Sequence, residues 1–152
     1  MNPQINIKRT TSDDADFQNL VKELDKDLSI RDGDEHAFYA QFNKVDAIKN
    51  VLVAYQNDQA VGCGAIKKMD EQTMEVKRMY VPPHLRGNGI ASQILKELET
   101  WSQELGYKKC VLETGKKQPE AIALYHKNHY QIIPNYGQYQ GIENSVCFQK
   151  EL

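Results

Sequence analysis

The segment from Thr73 to Gly106 constrains the fold more than any other part of the chain. Thr73 to Val81 alternates like a strand and runs into Pro82-Pro83, which stops it. Ile90, Ile94, Leu95, Leu98, Trp101 and Leu105 then recur at helical spacing, and Gly106 closes the run. Between the two lies Arg86-Gly87-Asn88-Gly89-Ile90-Ala91. A strand, a glycine loop and a helix start together make an anion site. The first backbone N–H groups of the helix have no partner of their own, and the helix dipole favours negative charge there. A plain strand-to-helix turn using Gly87 and Gly89 only for geometry would read the same over six residues, so the flanking elements have to decide.

Taken in order, Ile5 to Arg9 reads as a short first strand. Thr11 or Ser12 is the expected cap of a helix with Asp13, Asp14 and Asp16 in its first turn and an apolar stripe of Phe17, Leu20, Val21, Leu24 and Leu28. Arg31-Asp32-Gly33-Asp34 is read as a turn, followed by a second helix with Phe38, Phe42 and Val45 on one face. Asn50–Tyr55 and Ala60–Lys67 are two strands joined by a loop of four, Gln56 to Gln59. The second of these, Val61-Gly62-Cys63-Gly64-Ala65-Ile66, is poor in bulk, which implies close approach of another element. After the central helix come a buried strand at Lys109–Glu113, a helix opened by Pro119, and strands at Gln131–Ile133 and Ser145–Phe148 joined by an aromatic loop. The order β-α-α-β-β-β-α-β-α-β-β, with one parallel crossover from Thr73 to Glu113, calls for a mixed sheet with helices on both faces.

Length and charge exclude several classes. At 152 residues one domain with its own core is expected, and a net charge of −2 gives no general pull on nucleic acid or acidic membrane. Met1 to Ile5 carries no apolar leader and no apolar run approaches membrane-spanning length, so a cytoplasmic protein is expected. Cys63, Cys110 and Cys147 sit in apolar strand-like runs and read as buried reduced thiols rather than redox or catalytic groups. His126 and His129 share helical spacing but have no acidic or thiol partner nearby in sequence, so no metal is expected.

The residues around the loop resemble the GNAT superfamily of N-acetyltransferases, which move acetyl from acetyl-CoA to amines. Arg86 to Ala91 fits its pyrophosphate-loop pattern, Arg/Gln-x-x-Gly-x-Gly/Ala. Glu75-Val76-Lys77-Arg78-Met79-Tyr80-Val81 before it, Leu95 after it, and Ala121-Ile122-Ala123-Leu124-Tyr125-His126-Lys127 downstream widen the match. The order of elements agrees from Ile5 to the end of the chain. Two positions depart from the pattern: Gln118 stands where relatives commonly carry Asn, and His129 where a helix-ending Gly is usual.

The resemblance implies an α/β (α+β) fold with a mixed, mostly antiparallel central sheet of about seven strands flanked by helices, and acetyl-CoA as co-substrate without a metal. It implies that Met79, Tyr80 and Val81 hold the pantetheine arm by their backbone. Gly87, Asn88, Gly89, Ile90, Ala91 and Ser92 would take the pyrophosphate, with Arg86 adding charge and Gln118 a further hydrogen bond. Tyr125 is the candidate general acid, a phenol protonated at neutral pH, or else a core aromatic. Glu75 is the candidate base for an amine that arrives protonated, or else a strand glutamate paired with a neighbouring Lys while water does that work. Lys77 shares strand parity with Glu75, whereas Arg78 is expected on the opposite face; one of the two, with Lys77 the candidate, would face the acceptor pocket and meet a carboxylate-bearing substrate, or else both are solvated charges. Tyr136, Tyr139 and His36 are candidate walls of the acceptor pocket. The expected activity is acetylation of a small, amino-acid-like primary amine. Acetylation of a protein N-terminus or lysine, and a non-catalytic acyl-CoA sensor, stay open, and a homodimer is the assembly common among relatives.

Overall fold

The computed structural model describes residues 4–33 and 48–152. Seven strands form one sheet: β1 (Asn6–Thr10), β2 (Asn50–Gln56), β3 (Gln59–Lys68), β4 (Thr73–Tyr80), β5 (Lys109–Gly115), β6 (Gln131–Ile133) and β7 (Ser145–Glu151). Their spatial order is β1-β2-β3-β4-β5-β7-β6, and β4–β5 is the single parallel pair. Among the described residues three α-helices accompany it: α1 (Ala15–Asp32), α2 (Ile90–Glu104) and α3 (Pro119–Lys127). The expected second helix, with His36, Phe38, Phe42 and Val45, lies outside the described residues.

Alternation along the strands builds two cores. Val51, Val53, Cys63 and Ala65 pack with Phe17, Leu20, Val21 and Leu24 of α1 on one face. Leu52, Ala54, Ile66, Met74 and Leu112 pack with Ile90, Ile94, Leu95 and Leu98 of α2 on the other. The glycines of β3 explain how close α2 lies. A Cβ on Gly62 would sit 2.9 Å from Ile94 Cδ1, and one on Gly64 would sit 2.7 Å from Met79 Sδ and 2.9 Å from Ile94 Cγ2. The small residues therefore mark the seat of the central helix.

Local chemistry corrects several boundaries. Asp14, not Thr11 or Ser12, caps α1: its carboxylate accepts from Phe17 N at 3.1 Å, while the Ser12 N–H is spent on the Ile48 carbonyl. Only Asp16 of the three aspartates then stands in the first turn. The helix also runs on through Arg31 and Asp32, residues expected in a turn, because Arg31 pairs with Asp27 one turn back. The β2–β3 hairpin turns on two residues, not four; Asn57 and Asp58 both adopt positive φ, 52° and 65°, as a tight twisted hairpin requires. His129 takes the left-handed conformation after α3, at φ 72°, and Tyr130 N bonds back to Tyr125 O at 3.0 Å, so this helix end closes with His as it would with Gly.

Two irregularities open the middle of the sheet. Cys63 pairs with Tyr80 but Ala65 pairs with Lys77, so β4 carries one residue more than β3 across that span, a bulge with Arg78 at φ 59°. Beyond it the strand phase is shifted. Further, β4 and β5 pair only from Thr73–Lys109 to Glu75–Val111 and then part, although both strands continue.

Replacing Gly64 by Ala is expected to destabilise the protein by about 1–3 kcal/mol, because Met79, Ile94 and Leu98 must all yield to one methyl group. Urea unfolding of the variant against the parent measures it, and an unchanged midpoint would contradict the close seating of α2.

Candidate active site

Two cavities meet where β4 and β5 part. The larger, of about 330 Å³, runs along the end of β4, the loop before α2, the first turn of α2 and the flank of α3. The smaller, of about 110 Å³, lies on the α1 side between β4, β5 and α1. Met79, Gln118, Ala121 and Tyr125 line both. Tyr125 therefore stands at the junction.

The larger groove gathers Met79, Tyr80, Val81, Arg86, Gly87, Gly89, Ile90, Ala91, Ser92 and Gln118, all expected from the sequence to meet a coenzyme. At its end Gly89 is the N-cap of α2 with φ 78°, and no side chain caps the helix. The first turn of α2 thus lines the groove with no side-chain cap on its N–H groups among the described residues, as an anion site requires. Gly87, at φ 84°, and Gly89 each have open space where a Cβ would go. The loop needs them for their left-handed backbone and not for room. Asn88 does not line the groove; its side-chain amide donates to Leu85 O at 3.0 Å and braces the loop. Arg86 is braced as well, its Nε donating to Val81 O at 2.8 Å and its guanidinium lying 5.8 Å from the Tyr80 ring. Glu120, at the start of α3, pairs with Arg86 at 3.7 Å and also with Arg31 of α1, so an ion-pair chain links the loop before α2 to α1 through α3. Ser92 accepts from Asn128 Nδ2 at 3.1 Å, which ties α2 to the end of α3.

Tyr125 is buried, edge-on to Tyr130 at 5.8 Å and tilted against Phe148 at 5.7 Å. Burial, with the charge of Glu113 nearby, pushes its phenol well above the ordinary value of 10.0. Its proton is firmly held at neutral pH.

The smaller cavity is ionic. Glu75 is only 8 % exposed. Lys77 Nζ lies 3.7 Å from its Oε1, as strand parity requires, and Tyr136 donates to its Oε2 at 2.6 Å. Tyr139 lines the cavity and meets Tyr136 edge-on at 5.8 Å. Of the expected acceptor-pocket residues, Lys77, Tyr136 and Tyr139 are therefore brought to Glu75, and His36 falls outside the described residues.

Arg78 corrects the expectation that it would point to the opposite face. The bulge returns its side chain to the α1 side, where it pairs with Asp25 Oδ1 at 2.9 Å and is 2 % exposed. Nothing in the local sequence announces the bulge, since the strand phase depends on how β4 registers against β3. Glu113 and Asp32 are cavity residues that sequence reasoning passed over. Glu113 follows the apolar run Cys110-Val111-Leu112 two positions from Val111, and a charge in phase with a buried residue was the available signal. Ser145 Oγ donates to Glu113 Oε2 at 2.7 Å. Burial first of all, with Asp32 and Glu75 adding like charge, raises the Glu113 carboxyl to about 7, against the opposing pull of Ser145 and Lys77.

The three thiols are buried and unbridged. Burial pushes Cys63 up to about 12 and Cys110 and Cys147 up to about 11, so none is a ready nucleophile. Among the described residues no group of three or more His, Cys, Asp and Glu side chains is placed to hold a metal ion, and no helix is long and apolar enough to cross a membrane.

Residues 17–130 match the model of the acetyltransferase (GNAT) family. The chain belongs to this family. It is 32 % identical to an IAA acetyltransferase of Azospirillum brasilense over 99 % of both chains. Among solved structures, a Klebsiella pneumoniae protein described as an acyl-CoA N-acyltransferase shares 30 % identity over 99 % of both chains, with a TM-score of 0.82. A GNAT family acetyltransferase of Elizabethkingia anophelis, solved with acetyl-CoA bound, has the same fold at 21 % identity and a TM-score of 0.68, covering 97 % of this chain and 98 % of its own. The sheet order, the single parallel pair and the flanking helices are those of the GNAT fold. The protein is an acetyl-CoA-dependent acyltransferase.

Glu113 gives a stability prediction with a definite sign. Its carboxyl ionises near the ordinary value of 4.5 when unfolded but only near 7 in the fold, so the folded chain holds an extra proton between those values. Stability is then lost as pH rises through that window. Glu113→Gln is expected to stabilise the protein by on the order of 1–3 kcal/mol at about pH 8 and to change little at about pH 4, as read by thermal melts at the two pH values.

Proposed function

We propose that the chain acetylates a small primary amine, the amine attacking the acetyl-CoA thioester directly while both substrates are bound. The observation that carries this reading is the position of Tyr125, lining both the groove and the small ionic cavity. The groove suits the donor. Its uncapped helix start and Arg86 match a pyrophosphate, and the parted edge of β4 at Met79 to Val81 offers backbone groups to an extended pantetheine arm. Acetyl-CoA bound to the Elizabethkingia structure supports the same donor here.

The smaller cavity suits the acceptor. Its volume of about 110 Å³ fits a small molecule rather than a protein segment. Asp32, Glu75 and Glu113 favour a cationic amine, and Lys77 is the group that would meet a carboxylate on an amino-acid-like acceptor. The relative named an IAA acetyltransferase is in keeping with a small acceptor.

In this reading Tyr125 keeps its proton until charge develops on the sulfur, then delivers it as the C–S bond breaks. Glu75 is one of three carboxylates at hand to relieve the ammonium of its proton. With the thiols buried and their pKa values raised, no covalent acetyl-enzyme is called for.

A panel of primary amines incubated with acetyl-CoA, with release of free thiol as the readout, is expected to reveal turnover. Acetylation of peptides but of no small amine would overturn the acceptor class. Calorimetric titration is expected to give saturable acetyl-CoA binding. Tyr125→Phe is expected to lower kcat by about 100-fold while leaving acetyl-CoA affinity within about a factor of two. Unchanged turnover would remove Tyr125 from the chemistry.

A further inference from the structure

We propose that Glu113, rather than Glu75, is the general base that takes the proton from the acceptor amine, and that Glu75 positions the acceptor. The inference rests on the acetyltransferase reading of the same site.

The first argument is position along the strands. Glu75 pairs with Val111 at the last rung shared by β4 and β5. Glu113 lies two residues further along β5, past that rung, where the strands have parted, and it lines the smaller cavity together with Tyr125. In the acetyltransferase reading the thioester lies along Met79 to Val81, also past that rung, so of the two glutamates Glu113 is the one on the parted side.

The second argument is occupancy. Both oxygens of Glu75 are engaged, Oε2 by the Tyr136 hydroxyl at 2.6 Å and Oε1 by Lys77 at 3.7 Å. Taking up a proton there would weaken two existing interactions. Glu113 accepts at Oε2 from Ser145 Oγ at 2.7 Å, which fixes the carboxyl and leaves Oε1 without a hydrogen bond among the described residues. That is the geometry of a base: one oxygen held, one presented.

The third argument is charge. Glu113 is faced by Lys77 and Glu75 of β4, Asp32 of α1, Tyr125 of α3, Ser145 and Cys147 of β7, and Tyr139 of the loop before β7. Two like charges and burial outweigh Lys77 and Ser145, so the carboxyl titrates near 7, where a general base is most effective. An ammonium entering the cavity brings positive charge beside it and favours the carboxylate form needed to accept a proton.

The step balances. Glu113 Oε1 takes one proton from the ammonium, leaving a neutral amine. The amine's lone pair forms the C–N bond and the C–S bond breaks, its electron pair leaving on sulfur. Tyr125 gives its proton to that sulfur, and the second proton lost by nitrogen restores the phenol. Glu113 releases its proton to water.

The test is the pH profile of kcat/KM for the most active amine of the panel, in the full-length protein. The parent is expected to show an ascending limb with a midpoint near 7. Glu113→Gln should abolish that limb and lower kcat about 100-fold, with acetyl-CoA affinity unchanged and with partial recovery in Glu113→Asp. Glu75→Gln should raise KM and keep the limb. Independently of any acceptor, carbon NMR of 13C-carboxyl-labelled glutamate should show one signal titrating near 7 that is missing in Glu113→Gln. A limb that survives Glu113→Gln but vanishes in Glu75→Gln, or a Glu113 signal titrating in the ordinary carboxyl range, overturns the assignment. Failure of every amine with the parent protein would instead defeat the small-amine reading beneath it.

Discussion

The structure turns on the abandoned hydrogen bonds between β4 and β5. Parallel strands that pair fully leave no room for a ligand, and here they pair for three residues and then part. Backbone polar groups released from a ladder must find partners elsewhere, so a gap in a sheet interior is stable only where something else can occupy it. The rest of the molecule is arranged around keeping that gap open. The bulge at Arg78 rotates the end of β4, and the Arg78–Asp25 ion pair anchors the displaced strand to α1. On the far side β5 stays in register with β7 along its whole length, and β4 stays paired with β3 as far as Tyr80, so each strand keeps its outer neighbour while the two part.

Around the gap the two cavities differ in the kind of group that defines them. The larger groove, proposed above for the donor, is made largely of backbone: the uncapped start of α2, the positive φ of Gly87 and Gly89, and the free edge of β4. Side chains there mostly brace the loop, as Asn88 does on Leu85 O and Arg86 on Val81 O. The smaller cavity, proposed above for the acceptor, is made of side chains, with Asp32, Glu75, Lys77 and Glu113 drawn from three elements.

Burial divides the titratable groups along the same line. Tyr125 and the three thiols are raised mainly by desolvation, so they stay protonated. Glu113 is raised by desolvation together with the like charges of Asp32 and Glu75, and settles near neutrality. One low-dielectric gap thus holds a strongly retained proton on one side and an exchangeable one on the other.

Much of this was legible in the sequence. The strand–glycine loop–helix segment from Thr73 to Gly106, the close approach of another element to the bulk-poor β3, and Pro119 at the start of α3 were all read from the sequence and agree with the fold. These are local matters of periodicity, glycine conformation and missing side-chain volume, which neighbouring residues decide. The length of the β2–β3 turn and the cap of α1 were not legible because neighbouring residues offer several equivalent local choices. The face taken by Arg78 and the entry of Glu113 and Asp32 into the smaller cavity depend instead on how distant segments register: β4 against β3, β5 against β7, the end of α1 against the gap. The sequence alone determined the family resemblance and the glycine loop at the start of α2, because such a loop carries its own geometry. Only the tertiary structure decided which carboxylates share a cavity, because side chains from three elements acquire neighbours only when the sheet closes around them.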